Sequence, residues 1–504
     1  MDVEQLKEDV LAGRITVERI VDVIITSQRE LQATKQKLDQ ATQRIAELEQ
    51  QLGGSPTQKV SEPFSVRAEE QRQRARGKKS RKRKRPLRRG RITTAEKIAQ
   101  AKRTEKVFPV GVAESDCKLS HTRPVWRLEN GQAVLVAYEV YRGPKNQYGS
   151  IPGTLGRSEF GLEIIVAMAY QVYIVGLSFD KVCLLMNFFQ NLRLRKSQVN
   201  VLLNQLSRHW ASEFDRLCTL LANSAVVHAD ETGWSLRSVW AFLSEKVRLL
   251  FFGVHKDADT LKQIIDPATF AGIMVSDDAA VYANFTKSQK CWAHLLRKAI
   301  KLTLQEPHNA EYRRLTDRLL EIYRAACRVQ VDRRLGDAGR KRKIAELDDE
   351  ILELCGAVWF AELPPLRGTD DDYRLLCNEL MRLMLAQQLF TFVIAAPVAT
   401  PSGEARPVAG TNNEAERTLR GPAQARKTGR TNKTFAGARR QTVITSVMES
   451  LRQQLPTFTL STVISEILRW ERTGRSCFAS LMIQLKLSPP AHSVLDTLLP
   501  VPSG

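Results

Sequence analysis

Hydrophobic residues recur at every seventh position in the first segment of the chain. Gln, Lys and Glu fill many of the positions between them. This heptad pattern predicts a coiled coil, and an amphipathic helix packed on its own protein body is the alternative. We therefore predict a helical dimerisation segment over residues 1–53, closed by a Gly-Gly-Ser-Pro run. The repeat is formed by Leu31, Leu38, Ile45 and Leu52.

The pattern changes twice between residues 108 and 222. Apolar and polar residues alternate in residues 108–158, which predicts a small β module. Residues 159–222 have a helical period, with Ser178 and Ser197 as candidate N-caps of two helices. Two helices joined by a short basic turn favour a helix-turn-helix that binds DNA, and a plain helical hairpin is the alternative. The basic residues of this turn are Arg193, Arg195 and Lys196.

Strand patterns dominate residues 223–300. One apolar run ends at Asp230, two longer apolar runs follow, and a short helix precedes a further run that ends at Asp277. Three strands, a helix and another strand is the order of an RNase H-like core.

The rest of the chain has mostly helical periodicity. Residues 301–400 form a predicted helical insertion, residues 401–455 return to the core, and residues 456–504 form a C-terminal helical tail. The predicted fold is thus an α/β RNase H-like core interrupted by a helical insertion. A coiled coil, a basic linker, a small β module and a helical DNA-binding domain precede this core.

Charge favours a polyanionic partner. The formal net charge is +21 over 504 residues, which points to DNA or RNA more than to a membrane surface. Basic residues are densest in residues 54–107, which we predict to be a disordered linker. Contact with phosphates and release of counterions is the expected function of such a run, and a solvated charge run is the alternative. Its centre includes Arg81, Lys82, Arg83, Lys84 and Arg85.

Cysteine spacing argues against a disulfide framework and a zinc ribbon. The eight cysteines are widely spread and none forms a CxxC pair. Cys117 and His121 could supply two metal ligands, but no second pair lies nearby, and we expect no zinc. The acidic, polar N-terminus is unlike a signal peptide, and no apolar run reaches the roughly 18 residues of a membrane span. We expect a cytoplasmic protein without a membrane partner.

Three carboxylates stand at positions that suit metal chemistry. Asp230 and Asp277 follow apolar runs, and a later helix carries Glu414 and Glu416. Hard cations such as Mg²⁺ prefer oxygen ligands, and two such ions about 4 Å apart promote phosphodiester cleavage. Successive strand residues point to opposite faces, so one acid of each adjacent pair faces a common site. A turn cap at Asp230 and a capping box at Glu416 are the structural alternatives.

Together these stretches resemble the catalytic (TnpC-type) subunit of the IS66 group of bacterial insertion-sequence transposases. The similarity runs from about residue 160 to residue 455, and the order and spacing of its motifs are specific. The matching motifs are His228-Ala229-Asp230-Glu231-Thr232-Gly233-Trp234, Ser276-Asp277 with Tyr282, Cys291-Trp292-Ala293-His294 with Arg297-Lys298, Asn412-Asn413 with Glu416-Arg417, Arg426-Lys427, and Phe435-Ala436-Gly437.

The resemblance implies a DDE site in which Asp230, Asp277 and Glu416 hold two Mg²⁺ ions, with Mn²⁺ as a possible substitute. The implied reaction is cleavage at transposon ends and transfer of the 3′-hydroxyl ends into target DNA. The implied partners are transposon-end DNA, target DNA, accessory proteins of the same element and further copies of the chain in a homodimer or larger assembly. The implied location is the bacterial cytoplasm, at the nucleoid. The implied DNA-contact residues are His294, Arg297, Lys298, Arg417, Arg420, Arg426 and Lys427.

Two other functions are compatible with the sequence. A catalytically decayed transposase derivative would bind DNA without cutting it, and this alternative predicts a broken triad. Another RNase H-like nuclease would not need the Asn412-Asn413 to Glu416-Arg417 motif after a long helical insertion. The presence of all three acids and of this motif favours the active transposase.

Overall fold

The computed structural model describes residues 92–360, 368–400, 403–488, 490 and 492–500, together with short helical stretches between residues 25 and 43. The chain divides into two compact units, Met1–Arg91 and Ile92–Gly504. The leucines and isoleucine of the heptad repeat lie outside the described residues of the first unit, and so do Arg81 to Arg85. The coiled coil and the disordered basic linker therefore stay predictions.

The second unit begins with a helix and a three-stranded sheet. Helix α1 is Thr94–Ala99, and strands β1, β2 and β3 are Arg103–Val107, Lys118–Glu129 and Gln132–Arg142. Strand β3 lies in the middle, antiparallel to β2 and parallel to β1. Asn130 and Gly131 have φ angles of 48° and 77°, which suits an Asn-Gly hairpin turn between β2 and β3.

The start of this unit corrects the predicted linker boundary. The sequence predicts a disordered linker up to residue 107, but residues 92–107 form α1 and β1. The Thr93 hydroxyl accepts from the backbone of Glu96 at 3.2 Å, and the Glu96 carboxylate accepts from the backbone of Thr93 at 2.6 Å. This capping box starts the helix, and β1 is then fixed by its pairing with β3.

Four helices follow the sheet and form one side of the main core. They are α2 (Leu162–Ala169), α3 (Phe179–Gln190), α4 (Lys196–His209) and α5 (Ala211–Ala222), and a single π-helical turn at Tyr170–Ile174 extends α2. Ser178 caps α3, as predicted. Ser197 does not cap α4. The N-cap is Arg195, two residues earlier, and its backbone N–H donates to the Gln198 side chain at 2.9 Å.

A five-stranded sheet lies at the centre of the unit. Its strands are β4 (Val226–Gly233), β5 (Ser238–Ser244), β6 (Arg248–Val254), β7 (Ile273–Ser276) and β8 (Ser288–Lys290), with helix α6 (Ala258–Ile264) between β6 and β7. The spatial order is β6-β5-β4-β7-β8. The first three strands are antiparallel, and β7 and β8 run parallel to β4. The apolar runs form strands here because helices cover both faces of the sheet.

Helix α7 (Trp292–Gln305) continues from β8 into a helical region with its own hydrophobic core. The other helices of this region are α8 (Ala310–Val331), α9 (Asp337–Phe360), α10 (Thr369–Leu385) and α11 (Thr391–Ile394). A two-stranded ladder of β9 (Val398–Ala399) and β10 (Ala405–Arg406) follows. None of the helices in the described parts of the chain is both long enough and apolar enough to cross a bilayer.

The chain then returns to the sheet. Helix α12 (Asn413–Lys427) covers one sheet face, and α13 (Phe435–Gln454) lies along β6. Hydroxyls of Thr442, Ser446 and Ser450, one turn apart on α13, accept from three backbone N–H groups of β6 at 2.9 to 3.0 Å. These bonds satisfy the unpaired edge of the sheet. Helices α14 (Leu460–Thr473), α15 (Cys477–Gln484) and α16 (Val494–Leu498) complete the unit. The predicted mixed α/β architecture is confirmed.

Candidate active site

Asp230 lies on β4, and Asp277 directly follows β7, the parallel neighbour of β4. His228 of β4 pairs with Val275 of β7, and extending this register by two residues sets Asp230 beside Asp277. Adjacent strands are about 4.8 Å apart, so the two carboxylates leave the sheet at the same edge. The Asp277 carboxylate also accepts from the backbone N–H of Ala279 at 3.1 Å, which fixes the turn after β7.

Asp230 and its neighbour Glu231 occupy opposite sheet faces. Asp230 pairs with Ala241, which packs in the cluster that contains Leu419 of α12. Glu231 pairs with Trp240, which belongs to the main core on the other face. Because directly paired residues of antiparallel strands share a face, Asp230 faces α12 and Glu231 faces away from it.

Glu416 reaches this site from the first turn of α12. The helix start is fixed by Asn412, which is fully buried. The Asn412 side-chain amide donates to the backbone carbonyl of Ala229 at 2.7 Å, one residue before Asp230. Its backbone N–H donates to the Cys291 sulfur at 3.1 Å. Asn412 therefore connects α12 with β4 and with the start of α7.

The electrostatics of Asp230 show that the three acids are close enough to interact. Burial and, to a smaller extent, the charges of Glu231, Asp277 and Glu416 together raise the pKa of Asp230 to about 7, against a lowering hydrogen bond from the Glu231 backbone. In the described part of the chain, neither Asp230 nor Asp277 forms an ion pair with lysine or arginine. Neighbouring carboxylates without a basic partner, such as Asp230 and Asp277, fit divalent cations with oxygen ligands.

The acids that stand next to Asp230, Asp277 and Glu416 in the sequence form contacts outside this cluster. Glu231 accepts from the hydroxyl of Tyr282 and pairs with Lys256 at 2.9 Å. Asp278 pairs with Arg382 of α10, and Glu414 pairs with Arg248 of β6. These contacts give each neighbouring acid a structural function outside the cluster.

Glu416 itself is covered by basic residues of α7. Arg297 donates to both of its carboxylate oxygens at 2.6 and 2.8 Å, and His294 Nδ1 lies 3.5 Å from Oε1. Two predicted DNA-contact residues thus contact a predicted catalytic acid directly. Arg297 therefore competes with any metal ion for the Glu416 carboxylate.

A cavity of about 580 Å³ opens in front of Asp277. Sequence reasoning missed one of its residues, Lys290, which is buried at the end of β8. Its ammonium group donates to the backbone carbonyl of Asp277 at 3.1 Å. Burial lowers the pKa of Lys290, and attraction to Asp278 and Asp277 opposes that shift. The only sequence feature that could have indicated Lys290 as a site residue is its position directly before the Cys-Trp-Ala-His motif.

The other predicted DNA-contact residues occupy three places. Lys298 lines the cavity and pairs with Glu379, with its nitrogen 2.5 and 2.7 Å from the carboxylate oxygens. On α12, Arg426 donates to the backbone carbonyl of Gly233 at 2.7 Å, which connects this helix with the end of β4. The remaining α12 residues, exposed in the structure, are Arg417, Arg420 and Lys427. The turn between α3 and α4 exposes Arg193, Arg195 and Lys196.

Comparison with known families identifies the central part of the chain. Residues 157–369 match the family model described as Transposase IS66 family, which is a DDE-type transposase family. The matched range includes Asp230 and Asp277, and Glu416 lies beyond its end. No curated protein matches the chain. The resemblance seen in the motifs is confirmed for residues 157–369, which are similar to the IS66 transposase family.

Proposed function

We propose that this chain is an active DNA transposase that cleaves DNA at the ends of its element and transfers the 3′-hydroxyl ends into target DNA. The observation that carries the proposal is the convergence of Asp230 of β4, Asp277 at the end of β7 and Glu416 of α12. Each adjacent acid has a different partner. The family match supports a transposase, and the geometry supports a complete triad rather than a decayed one.

The sheet supports an RNase H-like assignment for the catalytic core. In such a fold the first strand is central, strands two and three lie antiparallel on one side, and strands four and five lie parallel on the other. The order β6-β5-β4-β7-β8 and its strand directions agree with this arrangement. The insertion then separates the first two acids from the third. We propose that the domain boundaries predicted from the sequence hold, apart from the earlier start of the β module.

Asp230, Asp277 and Glu416 would hold two divalent ions, Mg²⁺ or Mn²⁺. Bound in this way, the ions supply charge neutralisation and polarise the attacking and leaving oxygens. The chain supplies the rest: Lys290 holds the turn of Asp277, Asn412 holds α12 against β4, and Arg297 leaves Glu416 for a DNA phosphate.

The reaction balances without an energy-rich cofactor. In cleavage, a water oxygen attacks phosphorus, the bond to the 3′-oxygen breaks, and a 3′-hydroxyl and a 5′-phosphate result. In transfer, that 3′-hydroxyl attacks a target phosphodiester, and one phosphodiester bond forms as another breaks. The protein therefore has to position the strands and neutralise phosphate charge.

Exposed cations would hold the DNA. We propose that the α3–α4 turn and the exposed residues of α12 contact phosphates, together with the basic segment that includes Arg81 to Arg85. We further propose that the chain forms a homodimer or larger assembly through the N-terminal heptads. It would act with accessory proteins of the same element and be located at the nucleoid.

The test is Mg²⁺-dependent cleavage and strand transfer on DNA that carries the terminal sequences flanking this gene. Glu416→Gln should abolish both reactions and keep DNA binding. Glu414→Gln is the matched control on the same helix turn and should keep activity, because Glu414 pairs with Arg248. An inactive wild type that binds these ends with accessory proteins present would favour a decayed, DNA-binding derivative. Equal activity of wild type and Glu416→Gln would refute the assigned triad.

A further inference from the structure

Three residues beside the predicted catalytic cluster form a group with different ligand chemistry. One ligand atom each from Cys291, His294 and Glu416 lies within 4.8 Å of the other two. Cys291 is the N-cap of α7, and His294 stands on the first turn of the same helix. Glu416 comes from α12, 122 residues beyond His294 in the sequence, so the fold alone assembles this group.

The histidine nitrogen of this group has an unsatisfied position. His294 Nδ1 is shielded from solvent and has no hydrogen-bond partner among the described residues. A buried polar atom without a partner costs free energy and calls for an explanation. Glu416 Oε1 lies 3.5 Å from His294 Nδ1.

That separation suits two ligands of one metal ion. Zinc binds histidine nitrogen and carboxylate oxygen at roughly 2.0–2.2 Å in a tetrahedral arrangement, which places the two ligand atoms roughly 3.3–3.5 Å apart. The Cys291 sulfur at the start of α7 accepts the backbone N–H of Asn412 at 3.1 Å. Burial raises the pKa of this thiol, and backbone hydrogen bonds oppose that shift, so a bound metal ion has to displace the thiol proton.

The ligand set discriminates between metals. Mg²⁺ and Ca²⁺ prefer oxygen ligands, whereas sulfur, imidazole and carboxylate together favour Zn²⁺ and similar thiophilic ions. Cys291 and His294 also line the cavity of about 580 Å³. The cavity provides an entry route and space for a fourth ligand from solvent.

We propose that Cys291, His294 and Glu416 form a site for a thiophilic divalent cation such as Zn²⁺, and that its occupancy inhibits the enzyme. A Glu416 carboxylate bound there is withdrawn from the site that it shares with Asp230 and Asp277. Binding displaces the Arg297 guanidinium from Glu416 and releases the thiol proton of Cys291 to solvent. The cysteine spacing gave us no reason to expect zinc, because this site depends on a ligand from a distant helix.

The binding half of this proposal is independent of the proposed function, and the inhibition half rests on it. Binding is tested with the full chain by Co²⁺ titration, since Co²⁺ substitutes for Zn²⁺ and gives a thiolate charge-transfer absorption. We expect this absorption in the wild type, its displacement by Zn²⁺, and its loss in Cys291→Ser. His294→Ala should weaken Co²⁺ binding by about 10-fold or more.

Cys218→Ser is the matched control, because Cys218 is equally buried in α5 and lies outside the group. It should keep the absorption. A wild type without the thiolate band, or a band that survives Cys291→Ser, would overturn the site. Because serine keeps an acceptor for the Asn412 N–H, Cys291→Ser should fold normally, and its circular dichroism spectrum checks this.

Inhibition is tested by adding Zn²⁺ to cleavage reactions that contain excess Mg²⁺. The wild type and Cys218→Ser should lose activity together, and Cys291→Ser should need at least about tenfold more Zn²⁺ for the same loss. Zn²⁺ binding without inhibition would overturn the regulatory half. If the wild type shows no cleavage with Mg²⁺, the proposed function fails, and the Co²⁺ titration still decides whether the metal site exists.

Discussion

Arg297 of α7 donates to both carboxylate oxygens of Glu416 of α12, at 2.6 and 2.8 Å. The Arg297 side chain is 52% exposed and that of Glu416 is 24% exposed. An ion pair with this exposure contributes about 0–1 kcal/mol, so a divalent ion or a DNA phosphate can replace either partner. We interpret the pair as the resting state of the site in the absence of DNA and metal.

Removing the arginine should strengthen metal binding in the absence of DNA. In Arg297→Gln, Glu416 loses a competing cation, and we expect Mn²⁺ to bind about two- to fivefold more tightly, as follows from a pair worth up to about 1 kcal/mol. Isothermal titration calorimetry measures this change. Lys298→Gln is the control, because Lys298 pairs with Glu379 instead. Weaker Mn²⁺ binding in Arg297→Gln than in the control would contradict the resting-state interpretation.

Metal affinity should depend on pH through Asp230. Burial and neighbouring acids raise its pKa to about 7, so below that pH a divalent ion must displace a proton from this carboxyl. Mg²⁺ or Mn²⁺ affinity should fall up to about tenfold per pH unit below pH 7 and level off above it. Calorimetry in two buffers of different ionisation enthalpy counts the released proton. An affinity independent of pH between 5 and about 7 would exclude Asp230 as the titrating ligand.

The Asp230 carboxyl should also make the metal-free protein less stable as the pH rises. The folded-state pKa of Asp230 lies above its ordinary value of 3.8, so between pH 4 and about 7 the folded state binds more protons than the unfolded state. The contribution of the neutral Asp230 carboxyl to the stability of the folded protein is complete below pH 4, and it is lost as the pH rises to about 7. Relative to Asp230→Asn, wild-type Tm should therefore fall across this interval. Added Mg²⁺ should restore stability at the upper end of this pH range.

Local patterns predict the elements that carry the first two acids. The apolar run at residues 273–276 predicts a strand, and β7 lies at Ile273–Ser276. The run that ends at Asp230 also predicts a strand, and β4 continues beyond Asp230 to Gly233. These elements are predictable because unbroken apolar runs bounded by polar residues suit strands covered on both faces.

Long-range contacts of the site are not predictable in the same way. The Asn412 amide bond to Ala229 joins residues 183 positions apart, and the Arg297 bond to Glu416 joins residues 119 positions apart. No local periodicity encodes such pairs, since they depend on how α7 and α12 pack against the sheet. The error at Ser197 has a local cause, because the Gln198 side chain accepts from the backbone N–H of Arg195 and so favours Arg195, two residues earlier, as the N-cap.

Asn412 should act as a positioning residue for Glu416. Replacing it with alanine leaves the Ala229 carbonyl without its buried partner, which costs about 1–3 kcal/mol and frees the start of α12. We expect cleavage by Asn412→Ala to fall by about 10- to 100-fold with DNA binding retained. Asn413→Ala is the matched control, because the adjacent Asn413 is exposed. Equal loss of activity and of DNA binding in Asn412→Ala would indicate a general folding defect instead.

The α3–α4 turn should contribute phosphate contacts that are sensitive to salt. Arg193, Arg195 and Lys196 are exposed there, and only Lys196 has an ion-pair partner among the described residues, Asp180 at 2.7 Å. Removing one cationic side chain that binds a phosphate of duplex DNA reduces the slope of log affinity against log salt by about 0.9. Replacing all three with glutamine should therefore weaken binding and make the slope shallower by about 2 to 3.

The control for this prediction removes the same charge from another surface. Arg313 and Arg314 of α8 and Lys341 of α9 are equally exposed, and their replacement with glutamine changes net charge by the same amount. If net charge alone attracts DNA, both triple variants should shift the salt slope equally. A larger shift in the α3–α4 variant, measured by fluorescence anisotropy over a series of salt concentrations, identifies the turn as a DNA-binding surface. An unchanged slope in that variant would remove the turn from the proposed DNA-binding surface.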